Sequence, residues 1–263
     1  MRMGAMNDPK KNLSSEIEKI SKLKFDFIDL TYEWASHERF DREKVKERLT
    51  KLNLGVVGHT NPTLPAVYPL PGIKKASWME LKEAFDFFEF LGCEKVSIHP
   101  FYYNSHMSDE ELISENIILL KKSIDYCSGK GMKLMIENCF SPFGSAREIE
   151  RITKEIPELS IHLDIGHMNL LQDFDWELNS FLDKFGDKIA HFHIHDNYGN
   201  VDAHLPLGCG TVDWASLANK IKKIGYDGTF TLEVFSNDDD YLKISKDKWQ
   251  SIWNQAFKSN RPL

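Results

Sequence analysis

Residues 133–164 read KLMIENCFSPFGSAREIERITKEIPELSIHLD, and this stretch decides the fold. The segment 133–137 (KLMIE) is a short apolar run of the kind that forms a buried strand, and 160–164 (SIHLD) is a second one. Between them, residues 146–156 have apolar side chains at helical spacing. A strand, a helix and another strand within roughly thirty residues form a βαβ unit with parallel strands.

The same alternation continues along the chain in both directions. We predict strands over 1–6, 25–30, 54–59, 95–99, 133–137, 160–164, 189–195 and 229–234. We predict helices over 14–23, 42–52, 77–91, 109–128, 146–156, 176–185, 213–224 and 246–257. Recurring prolines predict an irregular loop over 62–71, and the charge run 238–240 predicts a solvated turn.

Eight βα repeats of this size favour a closed parallel barrel over an open sheet. The expected fold is α/β, a single (β/α)8 TIM barrel. Because the composition has no break that would mark a linker, we expect one domain over residues 1–263.

The composition is that of an ordinary globular protein, with 263 residues, 41% of them hydrophobic, and a formal net charge of -7. No run approaches the roughly 18 consecutive apolar residues of a membrane span, and the N-terminus lacks the apolar region of a signal peptide. We therefore expect a cytoplasmic protein with no membrane partner. The acidic balance argues against a nucleic-acid partner, although a local basic groove is compatible with it.

Six consecutive predicted strands end with or near a metal-ligating or acid–base residue. The carboxyl ends of all barrel strands open on one face, where active sites are built. Six such residues at the same end are hard to explain by helix capping alone. They are His59, His99, Glu137, Asp164, His193 and Glu233.

Three more potential ligands lie in loops of that face: His167, Asp202 and His204. Converging imidazoles and carboxylates repel or stay unsatisfied unless a cation draws them together, so the cluster predicts a metal site. About four ligands suffice for one ion and nine could hold three, so the number of ions stays open.

The glycines Gly208 and Gly210 follow the seventh predicted strand. Barrels often bind phosphate in the loops after strands seven and eight, where glycine lets backbone N–H groups approach an anion. A tight turn before the next helix explains the same pattern equally well. We assign Gly208, Gly210 and His195 as candidate substrate-binding residues.

Five motifs together resemble the xylose-isomerase-like barrels, over essentially the whole chain. They are IEN at 136–138, HLDIGH at 162–167, HIHDN at 193–197, DAHLPLGCG at 202–210 and LE at 232–233. This superfamily includes sugar phosphate isomerases and epimerases and the type IV apurinic endonucleases.

For an isomerase or epimerase, the resemblance implies that Glu137, Asp164, His193 and Glu233 hold one divalent ion. Glu137 and Glu233 would also serve as acid and base, and His167 would lie near the substrate. A metal-bound carbonyl or hydroxyl oxygen acidifies the adjacent C–H bond, which one glutamate can deprotonate and the other reprotonate. The implied cofactor is Zn, Mn or Mg, and the substrate is a small sugar or sugar phosphate.

For a type IV endonuclease-like phosphodiesterase, the resemblance implies three zinc ions. The additional ligands would then be His59, His99, His167, Asp202 and His204, so the set is complete. The segments after His59 and after Glu137 depart from the endonuclease pattern, and the mouth loops lack the basic and aromatic residues that grip a DNA backbone. The isomerase or epimerase is therefore our leading hypothesis, and the phosphodiesterase is the alternative. Relatives often form dimers or tetramers, so a homo-oligomer is possible, although no feature of the surface helices requires one.

Overall fold

The computed structural model of the chain describes residues 1–33, 41–102 and 107–258. The described strands are all parallel, pair in sequence order and close into a barrel through pairing of the first with the last. Their bounds are β1 Arg2–Met6, β2 Phe27–Tyr32, β3 Gly55–Thr60, β4 Lys95–Ile98, β5 Lys133–Glu137, β6 Ser160–Asp164, β7 Ile189–Ile194 and β8 Thr229–Leu232. The predicted (β/α)8 TIM barrel is confirmed.

Helices surround the barrel. Their bounds are α1 Leu13–Lys22, α2 Arg42–Lys51, α3 Pro71–Phe90, α4 Asp109–Ser128, α5 Ala146–Glu155, α6 Ile165–Asn169, α7 Phe174–Phe185, α8 Trp214–Lys223 and α9 Asp239–Lys258. Within the described ranges, no helix combines the length and the apolar character that crossing a bilayer requires.

Two predicted helix starts were wrong. Helix α3 begins at Pro71 and not at 77, because a proline in the first turn has no N–H to leave unpaired there. Helix α9 begins at Asp239, inside the stretch predicted as a turn, because acidic residues in a first turn complement the helix dipole. The short helix α6 was not predicted at all. Its first turn is capped by Asp164, whose Oδ1 accepts the His167 N–H at 2.7 Å.

The apolar core lies between the barrel and its helices, and it includes the fully buried Phe88, Phe181 and Trp249. Phe27, Val57 and Met135 form a separate apolar cluster. Alternation along a strand sends every second side chain to the same face. On β2, Asp29 lies two residues beyond Phe27 and is fully buried.

Candidate metal centre

The predicted strand-end residues meet at the carboxyl-terminal mouth of the barrel. Glu137, Asp164, His193 and Glu233 each offer one ligand atom, and these four atoms lie within 4.8 Å of one another. His193 Nδ1 lies 2.9 Å from Glu233 Oε2, 3.6 Å from Asp164 Oδ2 and 3.8 Å from Glu137 Oε1. These four residues therefore form a compact group, which we call the mouth cluster.

Local hydrogen bonds fix Asp164 within the mouth cluster. Its backbone N–H donates to Asn138 Oδ1 at 2.6 Å, and Asn138 Nδ2 donates to the Asp164 carbonyl at 3.0 Å. The Asn138 side chain thereby ties the end of β5 to the end of β6. Of the two carboxylate oxygens of Asp164, Oδ1 accepts the His167 N–H, and Oδ2 is buried without a hydrogen-bond partner.

The donor set of the mouth cluster fits a divalent metal ion. Three carboxylates and one imidazole in so small a volume repel one another unless a proton or a cation lies between them. The partnerless Asp164 Oδ2 is a buried anionic atom of the kind that a cation satisfies. Carboxylate and imidazole donors are ligands for Zn, Mn and Mg.

The remaining predicted ligands contact this cluster on two sides. On one side, His59 Nε2 and His99 Nε2 each lie 3.4 Å from Glu137 Oε2. On the other side, His167 Nε2 lies 3.3 Å and His204 Nε2 3.2 Å from Asp202 Oδ2. His204 Nδ1 is also 3.6 Å from Glu233 Oε1. The structure thus brings all the sequence-predicted ligands into one connected group.

Three titratable groups at the mouth have shifted pKa values: Glu137, Glu233 and His204. Burial raises the pKa of Glu137 to about 7, although His193 and His59 act in the opposite direction. Burial also opposes ionisation of Glu233, but His204 and His193 outweigh it and lower the pKa of this carboxyl. Burial works against a charged His204, yet Glu233 and Asp202 raise its pKa to about 9. The two glutamates therefore differ in their hold on a proton.

A cavity of about 310 Å³ opens at the barrel mouth, and Glu233 is the member of the mouth cluster that lines it. Its wall includes His59, His99, His167, Asp202, His204 and Glu233, and it contains no lysine or arginine among the residues that the structure describes. Two half-exposed aromatic rings lie beside wall histidines: Phe140 next to His167, and Phe235 next to His204. The cavity volume is at the small end of the range for ligand pockets.

The three candidate substrate-binding residues do not line this cavity. His195 is fully buried, with Nε2 3.2 Å from Asp164 Oδ1.

The loop that contains Gly208 and Gly210 binds an anion, as predicted, but that anion is the carboxylate of Asp196. It accepts the Gly208 N–H at 2.7 Å and the Trp214 indole N–H at 2.9 Å. A Cβ atom on Gly210 would lie 2.3 Å from Asp196 Oδ1. The structure therefore gives both glycines a role in packing around Asp196.

Three buried polar residues beneath the mouth have no predicted role: Asp29, His162 and His191. All three are fully buried, and His162 Nδ1 lies 3.1 Å from Glu137 Oε2. Each lies within a short apolar strand and not at its end, so a search for ligands at strand ends does not find it. A carboxylate or imidazole at an inward position of a buried strand is the signal that could have identified them.

Comparison with known proteins agrees with the family resemblance of the sequence motifs. Residues 17–257 match the family described as xylose isomerase-like TIM barrels. The chain belongs to this family. The uncharacterised protein MJ1311 of Methanocaldococcus jannaschii is 27% identical over 240 residues, which cover 84% of this chain and 79% of that one.

Several relatives of this chain carry the names of sugar epimerases. An L-ribulose 3-epimerase from Methylomonas sp. is 25% identical over 54% of this chain and half of its own length. The crystal structure of a D-tagatose 3-epimerase-like protein superimposes with a TM-score of 0.88 at 25% identity, over 99% of this chain and all of that one. The prediction of an isomerase or epimerase enzyme is confirmed, and the endonuclease alternative is not favoured.

Proposed function

We propose that this protein is a divalent-metal-dependent epimerase that inverts the carbon next to the carbonyl group of a small ketose. The observation that carries the proposal is the meeting of Glu137, Asp164, His193 and Glu233 within 4.8 Å at the barrel mouth, next to a small cavity that Glu233 lines. A barrel mouth with three carboxylates and one imidazole suits chemistry at a metal-polarised oxygen.

The ion would be held by the four residues of the mouth cluster. When bound, it would act as a Lewis acid that polarises the sugar carbonyl and acidifies the adjacent C–H bond. Mn and Mg suit the carboxylate-rich set, and Zn is favoured if His59, His99, His167, Asp202 and His204 recruit further ions.

Inversion at carbon needs one group to remove a proton and another to return a proton on the opposite face. Glu137 ends β5 and Glu233 follows β8, so their carboxyl groups reach the mouth cluster from different strands. Glu233, with its lowered pKa, suits the base, and Glu137, with a pKa of about 7, suits the group that carries a proton. The reverse reaction exchanges the two roles.

The composition of the cavity wall favours a polar, uncharged substrate. His167 and His204 offer hydrogen-bonding nitrogens to sugar hydroxyls, and the ring of Phe140 can cover C–H groups. Phe235 lies next to His204, outside the wall. The described wall lacks lysine and arginine, so a free sugar suits it better than a sugar phosphate. A cytoplasmic location and a homo-oligomeric state remain predictions.

Incubation with ketoses in D2O tests this function. Protein purified without chelator and supplied with Mn²⁺ should convert L-ribulose or D-tagatose into its C3 epimer, with one solvent deuterium at that carbon. Metal analysis should give about one equivalent per chain. Incision of an abasic-site duplex by protein with three zinc ions, without exchange into any ketose, would establish the phosphodiesterase alternative instead.

A further inference from the structure

Asp29 is a fully buried carboxylate that reaches across the barrel interior from β2 to β7. Its Oδ2 lies 2.9 Å from His193 Nε2 and 3.1 Å from His191 Nε2. The same oxygen accepts the Thr231 hydroxyl at 2.8 Å. Asp29 does not line the cavity, so it meets the mouth cluster from beneath.

His193 consequently has a carboxylate on each side of its ring. Nε2 faces Asp29, and Nδ1 faces the Glu233 carboxylate at 2.9 Å. When Nε2 carries the proton and donates it to Asp29, the lone pair of Nδ1 is directed at the mouth cluster. This tautomer is the one that a metal ion in the cluster requires.

We propose that Asp29 is a positioning residue that fixes the tautomer and the ring orientation of His193, so that Nδ1 is ready to bind the ion. The inference rests on the proposed metal-dependent function. A histidine ligand that donates its other N–H to a carboxylate is held in place and becomes a better donor, and loss of such a partner weakens metal binding about 10–100-fold.

Asp29 is itself held in position. The Thr231 hydroxyl and His191 both meet Oδ2, and Thr229 Oγ1 lies 2.7 Å from His191 Nδ1. The other oxygen, Oδ1, has no hydrogen-bond partner and lies 3.6 Å from His59 Nδ1, which also has none. Asp29 thus stands between histidines of β3 and β7 and supports the cluster from inside the barrel.

The test is Asp29→Asn, which keeps the shape of the side chain and removes its charge. The amide can donate to Nε2 and so favour the tautomer that has the proton on Nδ1, where it blocks the ion. We expect the affinity for Mn²⁺, measured by the electron paramagnetic resonance signal of the free ion, to fall about 10–100-fold. With Co²⁺ as probe, the visible ligand-field bands should change in position or intensity.

Glu177→Gln is the matched control, because Glu177 is a buried carboxylate that accepts the Ala146 N–H at 2.9 Å and touches no cluster residue. Its Mn²⁺ affinity should stay within twofold of the original chain. Unfolding in chelator shows which variants fold. If Asp29→Asn does not fold, Thr231→Val serves instead, with an expected loss of about threefold because the carboxylate is loosened but retained.

Unchanged Mn²⁺ affinity and an unchanged Co²⁺ spectrum in a folded Asp29→Asn variant, or in Thr231→Val where that variant serves, would overturn the inference and leave the proposed function standing. Failure of the original chain to bind any divalent ion would overturn both. A lowered unfolding midpoint with normal Mn²⁺ affinity would assign Asp29 to the fold alone.

Discussion

Gly166 lies so close to the imidazole of His195 that a Cβ atom at position 166 would come within 1.9 Å of His195 Cε1. Real Cβ atoms do not approach other atoms this closely, so helix α6 and the ring can pack together only when residue 166 is glycine. His195 Nε2 lies 3.2 Å from Asp164 Oδ1, so this contact also supports one member of the mouth cluster.

Substituting Gly166→Ala should therefore lower the free energy of unfolding by about 1–3 kcal/mol, the usual cost of overpacking a buried site. Displacement of His195 should also weaken Mn²⁺ binding through Asp164. Chemical denaturation in chelator and Mn²⁺ titration measure the two effects. Gly72→Ala is the control, because a Cβ there meets nothing within 4 Å and alanine favours the helix by roughly 0.5–1 kcal/mol. Equal stability of the two variants would refute this account of Gly166.

Replacing the proposed base should abolish most of the epimerase activity without unfolding the barrel. For Glu233→Gln we expect kcat to fall about 10²–10⁴-fold, the usual contribution of a general base. The apolar core lies between the strands and the helices, so the circular dichroism spectrum should be retained. Glu155→Gln, at an exposed glutamate 3.3 Å from Lys121, should keep full activity. Wholesale unfolding of Glu233→Gln would instead assign this residue to the fold.

Metal binding should stabilise the protein more at high pH than at low pH. The pKa of His204 is raised from 6.5 to about 9 and that of Glu137 from 4.5 to about 7. A raised pKa stabilises the metal-free protein fully below the unfolded value, and this contribution is lost as pH rises through the folded value. Because an ion competes with these protons, the increase in Tm caused by Mn²⁺ should be larger at pH 9 than at pH 6. A larger increase at pH 6 would contradict the assignment of these groups.

A free ketose should be a better substrate than its phosphate. We expect kcat/KM for L-ribulose to exceed that for L-ribulose 5-phosphate by at least about tenfold, because a charged group buried without a cation costs more than about 1.4 kcal/mol. The described cavity wall offers no lysine or arginine, and Asp196 already occupies the N–H group of Gly208. Competition by inorganic phosphate at low millimolar concentration would reveal a phosphate site that these residues do not supply.

Much of this architecture follows from the order of short strands and helices. The strands 133–137 and 160–164 were predicted with the bounds that the structure has. A short apolar run flanked by polar residues marks clearly where a buried strand begins and ends. Glu137 and Asp164 could be placed at one mouth because all parallel strands of a barrel point the same way. The convergence of the predicted ligands is therefore a consequence of topology.

Other features depend on contacts that no local pattern encodes. Asp29 is in the middle of β2, and only its contact with His193 across the barrel indicates its proposed role. The glycine-rich loop indicates an affinity for an anion, but only the folded chain reveals that Asp196 fills it. The start of α3 at Pro71 was missed because the preceding prolines favour a loop.

The rings of Phe140 and Phe235 lie on connecting segments, whereas Glu137 and Asp164 end strands of the closed sheet. The two aromatic rings lie on loops, and the proposed metal ligands lie at strand ends. Loops tolerate substitution better than strands of a closed barrel do. For the proposed epimerase, substitutions at these rings would alter which ketose is accepted while the strand ends keep their spacing, so this barrel would serve as a scaffold for directed evolution toward new ketoses.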